Sequence, residues 1–472
     1  MPTGETEVEM RIAVLNGSPK GETSVTMQYV RYIQKLYPQH QLEIEHVVPR
    51  IKKLENDEQA FREIVERVRS ADAVLWAFPL YYMLVHGSYK RFIELIEERG
   101  AREAFEGKYT ASLSTSIHFF DHTAHNYIHA ICDDLDMRYV GIFSASSRDL
   151  LEERGRAQLT QFAGEFFRAV EEQAATQRSY PALVTPSFRY VPGPVRQLVD
   201  TQGKRVVIVS DAQPHQANLV RMIERFQASF AQPVTTANLH DVDIKGGCLG
   251  CIHCGFDNIC EYEGKDGYIN FYNSQVKTAD VLIFAGAMRD RYLSAKWKTF
   301  FDRSFFCGHA PSLAGKQFAL LISGPLTQVP NLREILEGYA QLELCNLAGI
   351  VSDEVGDSSG LDGLLEELAG RLMRCAEADY RPPQMFPGVA GTKLFRDEMY
   401  GRLRIVFQAD HRLYRKMGVY DFPQKDWRMR MINAVVTPLL RIPRFREGFQ
   451  AQIKQGMIRP YQKLFQESSL EK

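Results

Sequence analysis

Ile12-Ala-Val-Leu-Asn-Gly-Ser-Pro-Lys-Gly-Glu-Thr-Ser24 decides the fold, because a buried strand, a tight polar loop and a helix start follow one another within it. The apolar run Ile12 to Leu15 suits a strand inside a parallel sheet covered on both faces. Asn16, Gly17 and Pro19 then break it. Gly17 and Gly21 let the backbone approach a ligand, and Ser18, Thr23 and Ser24 set hydroxyls beside the unpaired N–H groups that open the next helix. Such a loop receives a phosphate. Without a ligand it is an ordinary strand-to-helix turn capped by Thr23 or Ser24.

Outward from this loop the pattern alternates. A helix is predicted from Val25 to Leu36, a strand from Gln41 to Val48, a charged helix from about Asn56 to Arg69, and a buried strand from Ala71 to Phe78 that ends at Pro79-Leu-Tyr-Tyr82. A helix from about Ser88, a strand from Tyr109 to Thr115, a His-rich loop and helix through Ile131, a strand from Tyr139 to Phe143 and a helix from Leu150 to about Glu172 complete the series. This is the pattern of an α/β doubly wound parallel sheet, whose ligands bind beyond the carboxyl ends of the strands.

Residues 178–203, rich in proline, read as a linker that partly wraps a domain. The pattern then restarts at Arg205-Val-Val-Ile-Val-Ser210. Ala279-Asp-Val-Leu-Ile-Phe-Ala285 matches Ala71 to Ala77, and Lys298-Thr-Phe-Phe-Asp302 mirrors Lys90-Arg-Phe-Ile-Glu94. The expected architecture is two five-stranded doubly wound sheets in tandem, over 1–177 and 204–380. A mostly helical, basic extension over 381–472 follows them.

The 472 residues are too many for one core. Lys+Arg 57 against Asp+Glu 58 leave no overall bias toward nucleic acid. The charge is uneven, however: from Gly401 onward there are 15 Lys/Arg against 6 Asp/Glu, read first as a solvated helical extension packing on the body, with a basic face for a membrane, a partner such as a redox complex or an acidic surface as the alternative. No run has the length of a membrane span and the N-terminus is acidic, so a cytoplasmic protein is expected. Eight cysteines, four of them close together, point to metal or redox chemistry rather than disulfides.

Asn16-Gly-Ser-Pro-Lys20 with Ser24, Pro79-Leu-Tyr-Tyr82 and the helix start from Gly87 to Phe92 together resemble the flavodoxin-like NAD(P)H-dependent FMN reductase family. The resemblance covers residues 10 to about 175. It implies that Asn16, Ser18, Lys20, Thr23 and Ser24 hold the FMN phosphate. Pro79, Leu80, Tyr81 and Tyr82 would lie against the isoalloxazine, and Ser114, Thr115 and His118 would flank its polar edge. An aromatic ledge suits a planar redox ring, and hydride arriving from NAD(P)H needs only an open face of it, so no catalytic acid or base is assigned. His118, His122, His125 and His129 with Asp121 have metal-like spacing, but hydrogen bonding around the flavin or substrate is the preferred reading.

In the second half the phosphate loop is eroded, with Asp211 where Gly17 stood, Ala212 for Ser18 and Asn218 for Ser24. It carries instead Cys248, Cys251, Cys254 and Cys260, spaced C-x2-C-x2-C-x5-C. Four such thiolates suit the irons of one cubane better than zinc, with free or redox-active thiols as the other reading. The spacing resembles the iron–sulfur flavoproteins, which implies a [4Fe-4S] cluster on these four residues. The expectation is an FMN-dependent oxidoreductase passing electrons from NAD(P)H or a reduced carrier, through the cluster, to a one-electron acceptor such as ferredoxin. A clusterless quinone or nitro-compound reductase and a non-catalytic flavin-binding subunit are the alternatives. A homodimer, or docking on a redox complex through the basic segment, is also expected.

Overall fold

Burial is continuous along β1 (Arg11–Asn16) from Ile12 onward, because the strand pairs in parallel with β2 (Gln41–His46) on one side and β3 (Ala73–Pro79) on the other. With β4 (Tyr109–Ser116) and β5 (Arg138–Ser146) the sheet runs β2-β1-β3-β4-β5, the flavodoxin-like winding expected. The structure is a computed structural model and describes residues 9–185, 187–421, 426–452 and 457. Pro186 of the linker and parts of the expected C-terminal helical stretch lie outside the described residues.

Around this sheet lie α1 (Val25–Leu36), α2 (Ile51–Asn56), α3 (Glu58–Ser70), α4 (Gly87–Glu98), α5 (Asp121–Asp134) and α6 (Glu153–Glu171). Met27, Val30 and Ile33 form the helical stripe by which α1 enters the core, beside Leu159, Ala163 and Phe166 of α6. α2 was not foreseen, and β3 begins two residues late for a physical reason. Ala71 ends α3, and the Asp72 carboxylate accepts the Arg11 N–H at 2.8 Å, closing the start of the neighbouring strand.

The second sheet uses the same device. Asp280 accepts the Arg205 N–H at 2.8 Å, which explains why Ala-Asp recurs. β6 (Val206–Ser210), β7 (Thr235–Asn238), β8 (Val281–Ala287), β9 (Gln317–Ser323) and β10 (Asn346–Ser352) lie in the order β10-β9-β8-β6-β7, the first winding read from the opposite edge. Its helices are α7 (Ala217–Ala228), the short turns α8 (Cys254–Asp257) and α9 (Tyr268–Phe271), then α10 (Ala295–Arg303), α11 (Pro330–Leu342) and α12 (Ser358–Glu377). α13 (Phe386–Tyr400), α14 (Gln408–Met417) and α15 (Trp427–Leu439) follow. Both sheets belong to one compact unit through Leu413, and residues from Tyr414 form a second.

α4 and α10 join the sheets by reciprocal capping. Asp302 accepts the Gly87 N–H at 2.6 Å, and Glu94 accepts the Ala295 N–H at 2.7 Å. Lys90 and Lys298, both fully buried, neutralise these carboxylates; Lys90 also reaches Asp290 at 2.7 Å. The repeated Lys-x-x-x-Asp/Glu of the sequence is therefore an interface code. A Cβ on Gly87 would sit 2.9 Å from the Thr299 backbone nitrogen, so this crossing requires glycine.

Candidate functional site

The loop after β1 is built by its own side chains. Asn16 is fully buried; its Oδ1 accepts the Ser18 N–H at 2.9 Å, and its Nδ2 meets His46 Nδ1 at 2.7 Å. Thr23 donates to the Lys20 carbonyl at 2.9 Å, closing a turn that Gly21 enters at φ +54°. Ser24 caps α1 by accepting the Met27 N–H at 3.2 Å. Gly17 serves packing rather than ligand approach, because an added Cβ would lie 2.9 Å from Phe78 and Tyr89.

After β3, Tyr81 and Leu84 exchange backbone hydrogen bonds of 2.8 and 3.0 Å around Tyr82 and Met83, which take φ of 39° and 62°. Two bulky residues in the left-handed region store strain at this rim. The turn ends at His86, whose Nδ1 accepts the Ser88 N–H at α4 and whose Nε2 lies 2.8 Å from the Cys248 carbonyl.

These loops and the cysteine loop line one cavity of about 360 Å³. Ser18, Lys20 and Ser24 stand on it with Val25 and Thr26, where α1 presents N–H groups that no helix satisfies internally. Pro79, Leu80, Tyr81, Tyr82 and Thr115 also line it, as do Cys248, Cys251, Cys254 and Cys260. The approach of the two halves is close: a Cβ on Gly250 would lie 2.5 Å from the Tyr81 hydroxyl and 3.1 Å from Lys20 Cε.

Four expected residues stand off the cavity. Asn16 and Thr23 shape the loop, while Ser114 is buried behind it, 2.8 Å from His125 Nε2. His118 pairs with Asp121 at 2.9 Å, which raises the imidazole's pKa. The histidines are dispersed. His122 faces Glu334 at 2.9 Å, His129 stacks on Tyr139, and burial between Ser112 and Ser114 pushes His125 down to about 4.

Burial pushes the Cys248 and Cys254 thiols up to about 12. Among the described residues no three His, Cys, Asp or Glu side chains are gathered into a site able to hold a metal. The four thiols thus share a wall of the cavity without forming a coordination sphere, although their number and softness are those of an iron–sulfur donor set.

The remaining wall escaped the sequence reading. Phe305, Phe306 and His309 follow α10, and Phe395, Leu403 and Phe407 come from α13 and the turn after it. His309 Nδ1 lies 2.8 Å from Asp410. The pattern Phe305-Phe306-Cys-Gly-His309, set after a helix equivalent to α4, was the available signal.

At the carboxyl ends of the second sheet's strands a carboxylate of the chain links neighbouring elements. Asp353 accepts from Ser323 Oγ at 2.7 Å, the Gly324 N–H at 2.9 Å and Asn218 Nδ2 at 2.9 Å. Backbone from the linker covers it, as the Tyr190 N–H donates to Asn218 and the Phe188 carbonyl accepts from it, both at 2.9 Å. Asp211 binds Ser294, yet burial pushes its carboxyl up to about 6.

The sequence model of the NADPH-dependent FMN reductase family matches residues 10–148. That match supports the expectation of an oxidoreductase. No curated protein matches the chain. Among solved structures, an apo NADH:FMN oxidoreductase (EMOB) is 19% identical, with 36% of this chain and 94% of that one covered, at a TM-score of 0.31. The flavoenzyme NAD(P)H:(acceptor) oxidoreductase FerB from Paracoccus denitrificans is 18% identical, covering 34% and 98%, at 0.30. An FMN-dependent NADH-azoreductase from Bacillus anthracis, solved with FMN, is 17% identical, covering 35% and 100%, at 0.24.

Proposed function

We propose that the chain is an FMN-dependent NAD(P)H oxidoreductase whose flavin occupies the cavity between the first sheet's loops and the cysteine loop of the second. The observation that carries this reading is the common lining: Ser18, Lys20 and Ser24, the Tyr81–Tyr82 turn and all four loop cysteines border one space. Lys20, the two hydroxyls and the start of α1 supply what a phosphate dianion needs. Tyr82 and the aromatic wall give a planar ring apolar surface. The similarity of the two sheets fits a tandem duplication in which one copy kept the flavin and the other gained the cysteines.

In this reading Cys248, Cys251, Cys254 and Cys260 hold a [4Fe-4S] cluster, which when bound supplies one-electron transfer to an acceptor such as ferredoxin. The chain's own part is to bring both binding loops to one cavity and to close it with Phe305, Phe395 and Phe407. A second reading, a clusterless reductase of quinone or nitro compounds, draws on the absence of a gathered metal site among the described residues.

Anaerobic reduction of the bound flavin separates these readings. NADH or NADPH is expected to bleach it, and a variant with all four loop cysteines changed to serine is expected to keep the bleaching while losing one-electron transfer to ferredoxin. If that variant still reduces ferredoxin at the original rate, the second reading replaces the first.

A further inference from the structure

α15 contains no buried residue. Trp427, Met431, Val435 and Leu439 recur at every fourth position and so share a face. All four are exposed, as are Met429 and Ile432 on the same helix and Ile442, Phe445 and Phe449 after it. Interleaved with them are Arg428, Arg430, Arg441, Arg444 and Arg446, against only Asp426 and Glu447. A helix this apolar ordinarily buries its surface, and an exposed patch of this kind marks an interaction site.

The chemistry selects the partner. Aromatic and aliphatic side chains mixed with arginines compose a segment that lies in the plane of lipid headgroups. The excess of guanidinium groups selects an anionic surface. No helix among the described residues is long and apolar enough to cross a membrane, so the segment would lie along the surface and not span it. We propose that residues 426–449 dock the protein on an anionic lipid surface, with Trp427 and its face entering the headgroup layer and the arginines meeting phosphate groups.

The protein carries its own probe. Of its three tryptophans, Trp76 and Trp297 are fully buried and Trp427 is 66% exposed, so a change in emission on adding vesicles reports Trp427. With the full chain, phosphatidylcholine vesicles containing phosphatidylglycerol are expected to shift the emission to the blue and to sediment the protein, whereas pure phosphatidylcholine vesicles do neither. Changing Arg428, Arg430, Arg441 and Arg444 to Gln is expected to weaken partitioning by more than about a hundredfold, at about fivefold per charge. Trp427→Phe is expected to abolish the shift and retain sedimentation. An unchanged unfolding midpoint verifies that these variants fold. Failure to sediment with anionic vesicles, or equal binding to neutral ones, overturns the proposal. A blue shift that grows with protein concentration without lipid also overturns it, because a second copy then covers the face. None of these readouts depends on the cofactor content.

Discussion

The two sheets wind alike and end differently. In the first, Ser18, Lys20, Ser24 and the start of α1 border an open cavity. In the second, Asp353 already accepts hydrogen bonds from Asn218, Ser323 and Gly324, and linker backbone lies over Asn218. An internal carboxylate ties the end of β9 to α7 there. One winding can thus leave the carboxyl ends of its strands open in one copy and tie them together in the other. The second half instead contributes its loop after β7, the cysteine loop, to its neighbour's cavity.

The largest effect tests what the halves share. Because Asp302 and Glu94 cap each other's helices and neutralise buried lysines, Asp302→Ala and Glu94→Ala are each expected to cost about 3–5 kcal/mol in urea unfolding. A large inequality between them would break the reciprocity. Next, Asp353→Ala leaves three donors without an acceptor and is expected to cost about 2–3 kcal/mol without altering flavin content. In the first half the consequence is reversed: Lys20→Ala is expected to weaken FMN binding about ten- to hundredfold, measured by fluorescence titration, with little loss of stability.

The smallest effect distinguishes Asp211 from its counterpart Gly17. Its folded value of about 6 lies above the ordinary 3.8. The folded state therefore binds this proton more tightly, so the group favours folding below about pH 4, loses that contribution as pH rises through 6, and is constant beyond. Asp211→Asn is expected to flatten the stability profile over that window and to raise stability at pH 7 by about 1–2 kcal/mol.

Both sheets were legible because strand burial and the recurring Ala-Asp and Lys-x-x-x-Asp/Glu spacings are local signals. The loop after β1 was legible for the same reason, since Ser18, Lys20 and Ser24 lie within one strand-to-helix turn. What the sequence did not disclose is long-range. Gly17 looked like a ligand-approach glycine, yet its constraint comes from Phe78 and Tyr89, which lie far along the chain. Asp353 carries no mark in the sequence of its link to Asn218 of α7, which lies far along the chain. Phe395 and Phe407 likewise had no chemical reading before α13 and the turn after it set them on the cavity wall.

One cavity is bordered by both the loops proposed for the flavin and the four cysteines. The most direct test of that proposal is the FMN, iron and acid-labile sulfide content of anaerobically purified protein. About one FMN with about four irons and four sulfides per chain is expected, iron and sulfide being lost when the loop cysteines are replaced. Protein that retains no flavin, or that keeps its iron without those cysteines, would contradict it.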